Sequence, residues 1–182
     1  MSIPIRNTPQ RYGIVAILLH WTMAALLIGL FLLGNYMVDL DYYHPWYQKA
    51  PDLHRSLGVV VAALLLLRWL WRLLNPLPAA PGGPWERFAA RQAQRLFYLL
   101  IAGAAISGYL ISTADGRGVD LFGWFELPAI LPAADNREDV AGQWHEWLTE
   151  ALMLLALLHG LAALKHHFIE RDDTLRRMLG VE

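Results

Sequence analysis

The chain has 182 residues, a formal net charge of −1, 56% hydrophobic residues and only 17% charged ones. Soluble domains average about 45–50% apolar and about 25% charged residues, so this composition, with a mean hydropathy of +0.32, argues for a membrane protein. It offers no basic footprint for a nucleic acid. The chain has no cysteine, which excludes disulfides, thiolate metal sites, iron–sulfur clusters and covalent attachment of a c-type haem.

Taken in order, the first apolar run is Ile14 to Tyr36, without a charged residue. About 20 mostly apolar residues span a bilayer as a helix, so a span is predicted over about 13–37. It is longer than a signal-peptide core, and "LLGNYMVDLD" rather than a small-residue cleavage site ends it. A short loop, 38–53, leads to a second span at about 54–74, interrupted only by Arg68 and Arg72. "NPLPAAPGGP" (75–84) is a Pro/Gly breaker. A third span follows at about 92–113. The long loop 114–141 contains "DLFGWFELPAILP", too apolar for a free loop; it is expected to fold over the bundle or lie in the interface. The fourth span is predicted at about 142–165. The fold class is an all-α membrane protein, a four-helix transmembrane bundle forming one domain over 1–182.

Charge sets the expected orientation. Of the 15 Lys and Arg, eleven fall on the side of the termini; Lys49, Arg55, Arg117 and Arg137 are the other four. Of the 16 Asp and Glu, five lie on the side of the termini and eleven opposite. Lys/Arg excess marks the cytoplasmic face, so both termini are predicted inside, and the outer face carries a formal excess of seven negative charges.

Histidines in apolar helices are costly and point to function. His145 and His159 are fourteen residues apart, roughly 21 Å along a helix and about 40° short of four whole turns. They share one face, one near each membrane surface. His20, on a helix running the other way, matches the depth of His159. His54, at the outer start of the second span, is level with His145. Two pairs result: His20 with His159 inside, and His54 with His145 outside. Paired neutral imidazoles are axial ligands of haem iron. Without CxxCH the haems are b-type, and filled axial positions favour electron transfer. Small residues near the ligands (Ala24, Gly58, Gly160 and Ala163) leave room for a flat macrocycle. "AGAAISG" (102–108) on the third helix reads as a close-packing surface. The competing readings are hydrogen-bonded packing histidines, solvated interfacial histidines at 54 and 145, or zinc. A closed zinc site needs four ligands together, and these pairs lie far apart. His44, in "YYHPW", reads as an interfacial loop residue.

"LLHWTMAALL", "HRSLG", "LLRWLWRLLNPLPAAP", "WHE" and "LHGLAALKHHFIERDDTLRRML" together resemble the bacterial cytochrome b561 family, over nearly the whole chain. The resemblance implies a four-helix di-haem cytochrome b of the bacterial inner membrane, with His20, His54, His145 and His159 as iron ligands. It also implies ubiquinone as electron acceptor. The donor it implies is superoxide or another periplasmic reductant; the alternative is a cytochrome b subunit that links a dehydrogenase or a soluble cytochrome to the quinone pool. The expected quinone contact is His166, seven residues after His159 and on the same face, beside Lys165 and His167. The other reading of "KHH" is a basic cluster on lipid phosphate. Arg68 and Arg72 are candidates for haem propionates or for snorkelling. The acidic outer face as a whole does not suit steering of an anion; the alternative is a local positive funnel of Lys49, Arg55, Arg117 and Arg137 around the outer haem, since distant charges are screened.

Overall fold

The computed structural model describes residues 3–79 and 82–181. Four long helices form the bundle: α1 (Ile14–Val38), α2 (Lys49–Leu74), α3 (Pro84–Ser112) and α4 (Arg137–Lys165). All four are long and apolar enough to cross a membrane. A π-helical turn (His166–Glu170) and a short helix α5 (Thr174–Leu179) follow α4. α1 packs mainly on α2, and α4 on α3. Both termini lie at one end of the bundle, where Gly180 meets Ile3.

Three helices start earlier than hydropathy alone predicts: α2 at Lys49 rather than 54, α3 at Pro84 rather than 92, and α4 at Arg137 rather than 142. Hydropathy marks only the stretch that needs lipid, whereas a helix continues until a cap stops it. Pro84 opens α3, where it has no N–H to waste. The Glu86 carboxylate accepts the Gly83 N–H at 2.7 Å, completing a cap. Glu138 and Asp139 in the first turn of α4 favour the positive end of its dipole.

The core is a thin apolar layer at mid-height: Met23 and Leu30 on α1, Val61 and Leu65 on α2, Leu100 and Ile101 on α3, and Leu152 on α4. Large apolar side chains such as Leu32, Leu66, Leu99, Ile106, Leu157 and Leu161 point outward, as they do where the surrounding solvent is hydrocarbon.

The long loop does fold over the bundle. It forms a hairpin, β1 (Val119–Leu121) against β2 (Phe125–Leu127), with Val119 opposite Leu127. The buried Ser56 hydroxyl on α2 accepts the Phe122 N–H at 3.2 Å. Tyr109 on α3 pins the next stretch: its hydroxyl donates to the Pro128 carbonyl at 2.9 Å and accepts the Ile130 N–H at 2.8 Å. At the opposite end the buried Asn7 donates to the Pro76 carbonyl at 3.0 Å, and Arg177 to the Ala79 carbonyl at 3.0 Å. These bonds tie the N-terminal segment, the α2–α3 connection and α5 into one platform.

Candidate redox site between the helix pairs

Four histidines come together in two pairs, at two heights. His20 on α1 meets His159 on α4 with ring centroids 6.2 Å apart and an interplanar angle of 74°. His54 on α2 meets His145 on α4 with centroids 6.1 Å apart and an angle of 75°. A metal–imidazole bond is about 2.0–2.1 Å, and each centroid sits about 1.1 Å behind its nitrogen, so two rings on opposite sides of one ion have centroids roughly 6.3 Å apart. Both pairs have the spacing of two axial ligands on one iron.

The pair at the hairpin end lines a cavity of about 550 Å³. All four helices contribute to its wall, among them Leu27 and Phe31, Gly58 and Val61, Ala104 and Ala105, Thr149 and Met153. Gly58 and Gly142 line this cavity, and a Cβ on either would meet only open space. The space is mostly apolar and flanked by facing imidazoles, which suits a flat hydrophobic macrocycle.

The seats of the two histidines follow one pattern. A Cβ on Gly34 would stand 3.3 Å from His54 Cε1, and one on Gly108 would stand 3.2 Å from His145 Cε1. Each ring therefore rests on a neighbouring helix where a side chain is missing. His145 Nδ1 lies 2.9 Å from the Ala104 carbonyl oxygen and 3.1 Å from Ser107 Oγ. A carbonyl only accepts, so Nδ1 carries the proton and donates it. That tautomer leaves the Nε2 lone pair for a metal, the usual way a partner behind the ring fixes an imidazole ligand. His54 Nδ1 is buried and makes no well-formed hydrogen bond among the described residues, though the Leu30 backbone lies close to it.

The pair at the terminal end is more open. His159 is exposed and His20 half-buried. Phe97 on α3 stands edge-on to His159, with centroids 5.5 Å apart. Trp21 stands edge-on to His20 at 5.2 Å, and its indole N–H donates to the Met178 carbonyl at 2.9 Å. Arg68 is close enough for its charge to act on both His20 and His159. One turn on, Arg72 has a buried Nη1 without a hydrogen-bond partner among the described residues, available for an anionic group.

His166 stands apart from these pairs. Its Nδ1 lies 2.5 Å from Glu170 Oε2 and 2.8 Å from Asp172 Oδ2, so Nε2 is the nitrogen left for another ligand. Lys165 pairs with the other Glu170 oxygen at 2.5 Å, and Glu86 lies close by. The π-turn makes this possible, since its wider winding sets Glu170 over Lys165 and His166. His167 Nδ1 is buried and has no hydrogen-bond partner among the described residues. His44 sits in the α1–α2 connection, edge-on to Tyr36 at 6.2 Å.

Sequence reasoning placed the four paired histidines but missed what seats them. Gly34 stands alone in a run of bulky residues, "LFLLGNYMV", which was its one visible signal. "AGAAISG" read as a packing surface; in the fold it also supplies Ala104, Ser107 and Gly108 to His145. Gly160, expected to make room for a macrocycle, is exposed, with open space where a Cβ would stand.

Four membrane-length helices with facing imidazoles at two depths define a membrane electron-transfer cytochrome. The chain belongs to the prokaryotic cytochrome b561 family, whose model matches residues 11–181, and haem b is the cofactor that membership implies. It is 49% identical over 176 residues to cytochrome b561 homolog 2 of Escherichia coli K12, covering 96% of this chain and 94% of that one. It is 30% identical to cytochrome b562 of Cereibacter sphaeroides, covering 92% of this chain and 94% of that one. It is 26% identical to the probable superoxide oxidase of Yersinia pestis, covering 93% and 96%.

Proposed function

We propose that the chain carries electrons across the bacterial inner membrane through two haems b, from a donor on the hairpin side to ubiquinone on the side of the termini. His54 and His145 hold the outer haem; His20 and His159 hold the inner one. The observation that carries this reading is the pair of centroid spacings, 6.1 and 6.2 Å, at two heights of one bundle. A haem held by such a histidine pair would supply a one-electron centre suited to passing electrons rather than to binding a substrate.

The protein's own residues do the rest. The Ala104 carbonyl and Ser107 orient His145. Arg68 and Arg72 offer positive charge to the propionates of the inner haem. The apolar layer around Leu152 keeps water out between the two sites. Both termini face the cytoplasm, where Lys and Arg are concentrated. His166 offers Nε2 to a quinone carbonyl, while Glu170 and Asp172 hold Nδ1. Reduction of quinone to quinol takes two electrons and two protons. With superoxide as donor, two superoxide anions each give one electron and leave as dioxygen.

A second donor is favoured by a specific observation. Of the four outer cations, Arg55 pairs with Asp52 and Arg117 with Asp115, and Arg137 donates to the Pro132 carbonyl. Three of the four are thus engaged, leaving Lys49 as the outer cation without such a partner among the described residues, and the acidic outer face suits a basic protein donor that makes this chain a partner's cytochrome b subunit.

The first test is a haem count with an optical redox titration of the purified protein. Two low-spin haems per chain are expected; a protein without the α-band sinks the proposal. Pulsed superoxide then separates the donors: haem reduction no faster than uncatalysed dismutation leaves the protein partner.

A further inference from the structure

α4 carries a carboxylate where a membrane helix rarely tolerates one. Glu150 borders the charge-free run 151–164. It lies five residues beyond His145, about 7.5 Å further along the helix toward the middle of the bundle. It is therefore deeper than the outer histidine pair and lies between the two pairs. It is one of the residues that line the outer cavity, with Thr149 and Met153 of α4 and Asn35 of α1. It has no hydrogen bond or ion pair among the described residues. No Lys or Arg lines that cavity, and the nearest acidic neighbour on the wall is Glu146.

An ionisable group kept at such a depth without a counter-charge is costly. The residue is exposed, so its loss would cost the bundle little in packing. Its position gives it an electrostatic use. Reduction adds one negative charge between His54 and His145. A carboxylate on the wall of the same low-dielectric cavity opposes that charge far more than it would in water. The oxidised state is favoured, and the midpoint of the outer centre falls.

We infer that Glu150 is a positioning residue for electron flow: its carboxylate holds the outer centre at a lower potential than the inner one, so that electrons run inward toward the side of the termini. The inference rests on the two-haem reading above. It also bears on the donor, because a low outer potential and a negative cavity wall select a strong reductant that is not an anion.

The test is an optical redox titration of the full-length holoprotein in wild-type, Glu150→Gln and Glu150→Asp forms. The outer centre is identified as the signal lost in His145→Ala. Glu150→Gln is expected to raise the outer midpoint and leave the inner one in place, and Glu150→Asp to stay near wild type. Thr149→Lys puts a cation on the same wall and is expected to raise the same midpoint, so the idea remains testable should the Gln variant lose haem. An outer midpoint unmoved in Glu150→Gln and Thr149→Lys, or equal shifts at both centres, overturns it. A wild-type protein without two haems defeats the underlying reading instead, and the two failures are distinguishable in the starting spectrum.

Discussion

At the scale of single residues, the most telling positions are those with the least side chain. Gly34 and Gly108 are the floor under His54 and His145, and a methyl group at either stands 3.3 or 3.2 Å from a ring carbon. Gly108→Ala is expected to push His145 off the Ala104 carbonyl and empty the outer site, while the inner haem stays; pyridine haemochrome counts on the purified variant check this. Ser107→Ala removes a neighbour 3.1 Å from Nδ1 and keeps the stronger partner. It is expected to weaken haem retention about 10-fold, the lower end for a group behind a metal ligand, read by competition with apomyoglobin. His159→Ala is expected to lose the inner haem and keep the outer one. Retention of both haems in that variant refutes the pairing of His159 with His20.

At the scale of elements, the end of α4 is held by contacts of its own. The π-turn, His166, Asp172 and α5 form a folded strap, and Trp21 ties it to α1 through the Met178 carbonyl. Burial pushes the Asp172 carboxyl up, but the Thr174 N–H at 2.8 Å and the His166 ring outweigh it and hold it below its usual range. A carboxyl depressed in the folded state stabilises that state above its unfolded value and loses the contribution as pH falls through the folded one. The strap is therefore expected to hold at neutral pH and loosen below about pH 4, seen as faster amide exchange over 174–181. Asp172→Asn is expected to loosen it at neutral pH too and to reduce the acid dependence to the part that Glu170 carries, since that carboxylate is held by Lys165. Trp21→Phe deletes one hydrogen bond and is expected to cost about 1 kcal/mol of docking.

At the scale of the molecule, the bundle is two helix pairs held apart by what lies between them. Leu152 is 2% exposed and is seven residues from both His145 and His159, midway between the two sites. Leu152→Ala is expected to cost about 2–5 kcal/mol through the cavity it leaves, with a lower melting temperature in detergent. It is also expected to slow electron exchange between the sites, since packed atoms carry an electron better than a void. The proposed orientation has its own test. With no native cysteine, a single cysteine at Gly123 is expected to react with an impermeant maleimide in intact spheroplasts. One at Val181 is expected to react only after permeabilisation; the reverse pattern overturns the orientation.

The sequence by itself determined the number of membrane helices, their alternation and the heights of the histidines, because hydropathy and a rise of about 1.5 Å per residue are local properties. Fourteen residues between His145 and His159 place two levels on α4 in any fold that keeps it helical. Tertiary structure decided the rest. Matched depths had already suggested the pairs, but that the rings of His54 and His145, 91 residues apart, and of His20 and His159, 139 apart, actually meet is a fact of how the helices pack. The glycine floors, the Ala104 carbonyl behind His145 and the Ser56 hydroxyl under the hairpin are contacts between helices, and no period within one helix announces them. The helix starts were also decided outside the hydropathy pattern, by caps at Gly83 and by charges such as Glu138 in water. The meaning of Glu150 belongs here as well: in the sequence it is one acid at the edge of a span, and only the fold sets it among the residues that line the outer cavity.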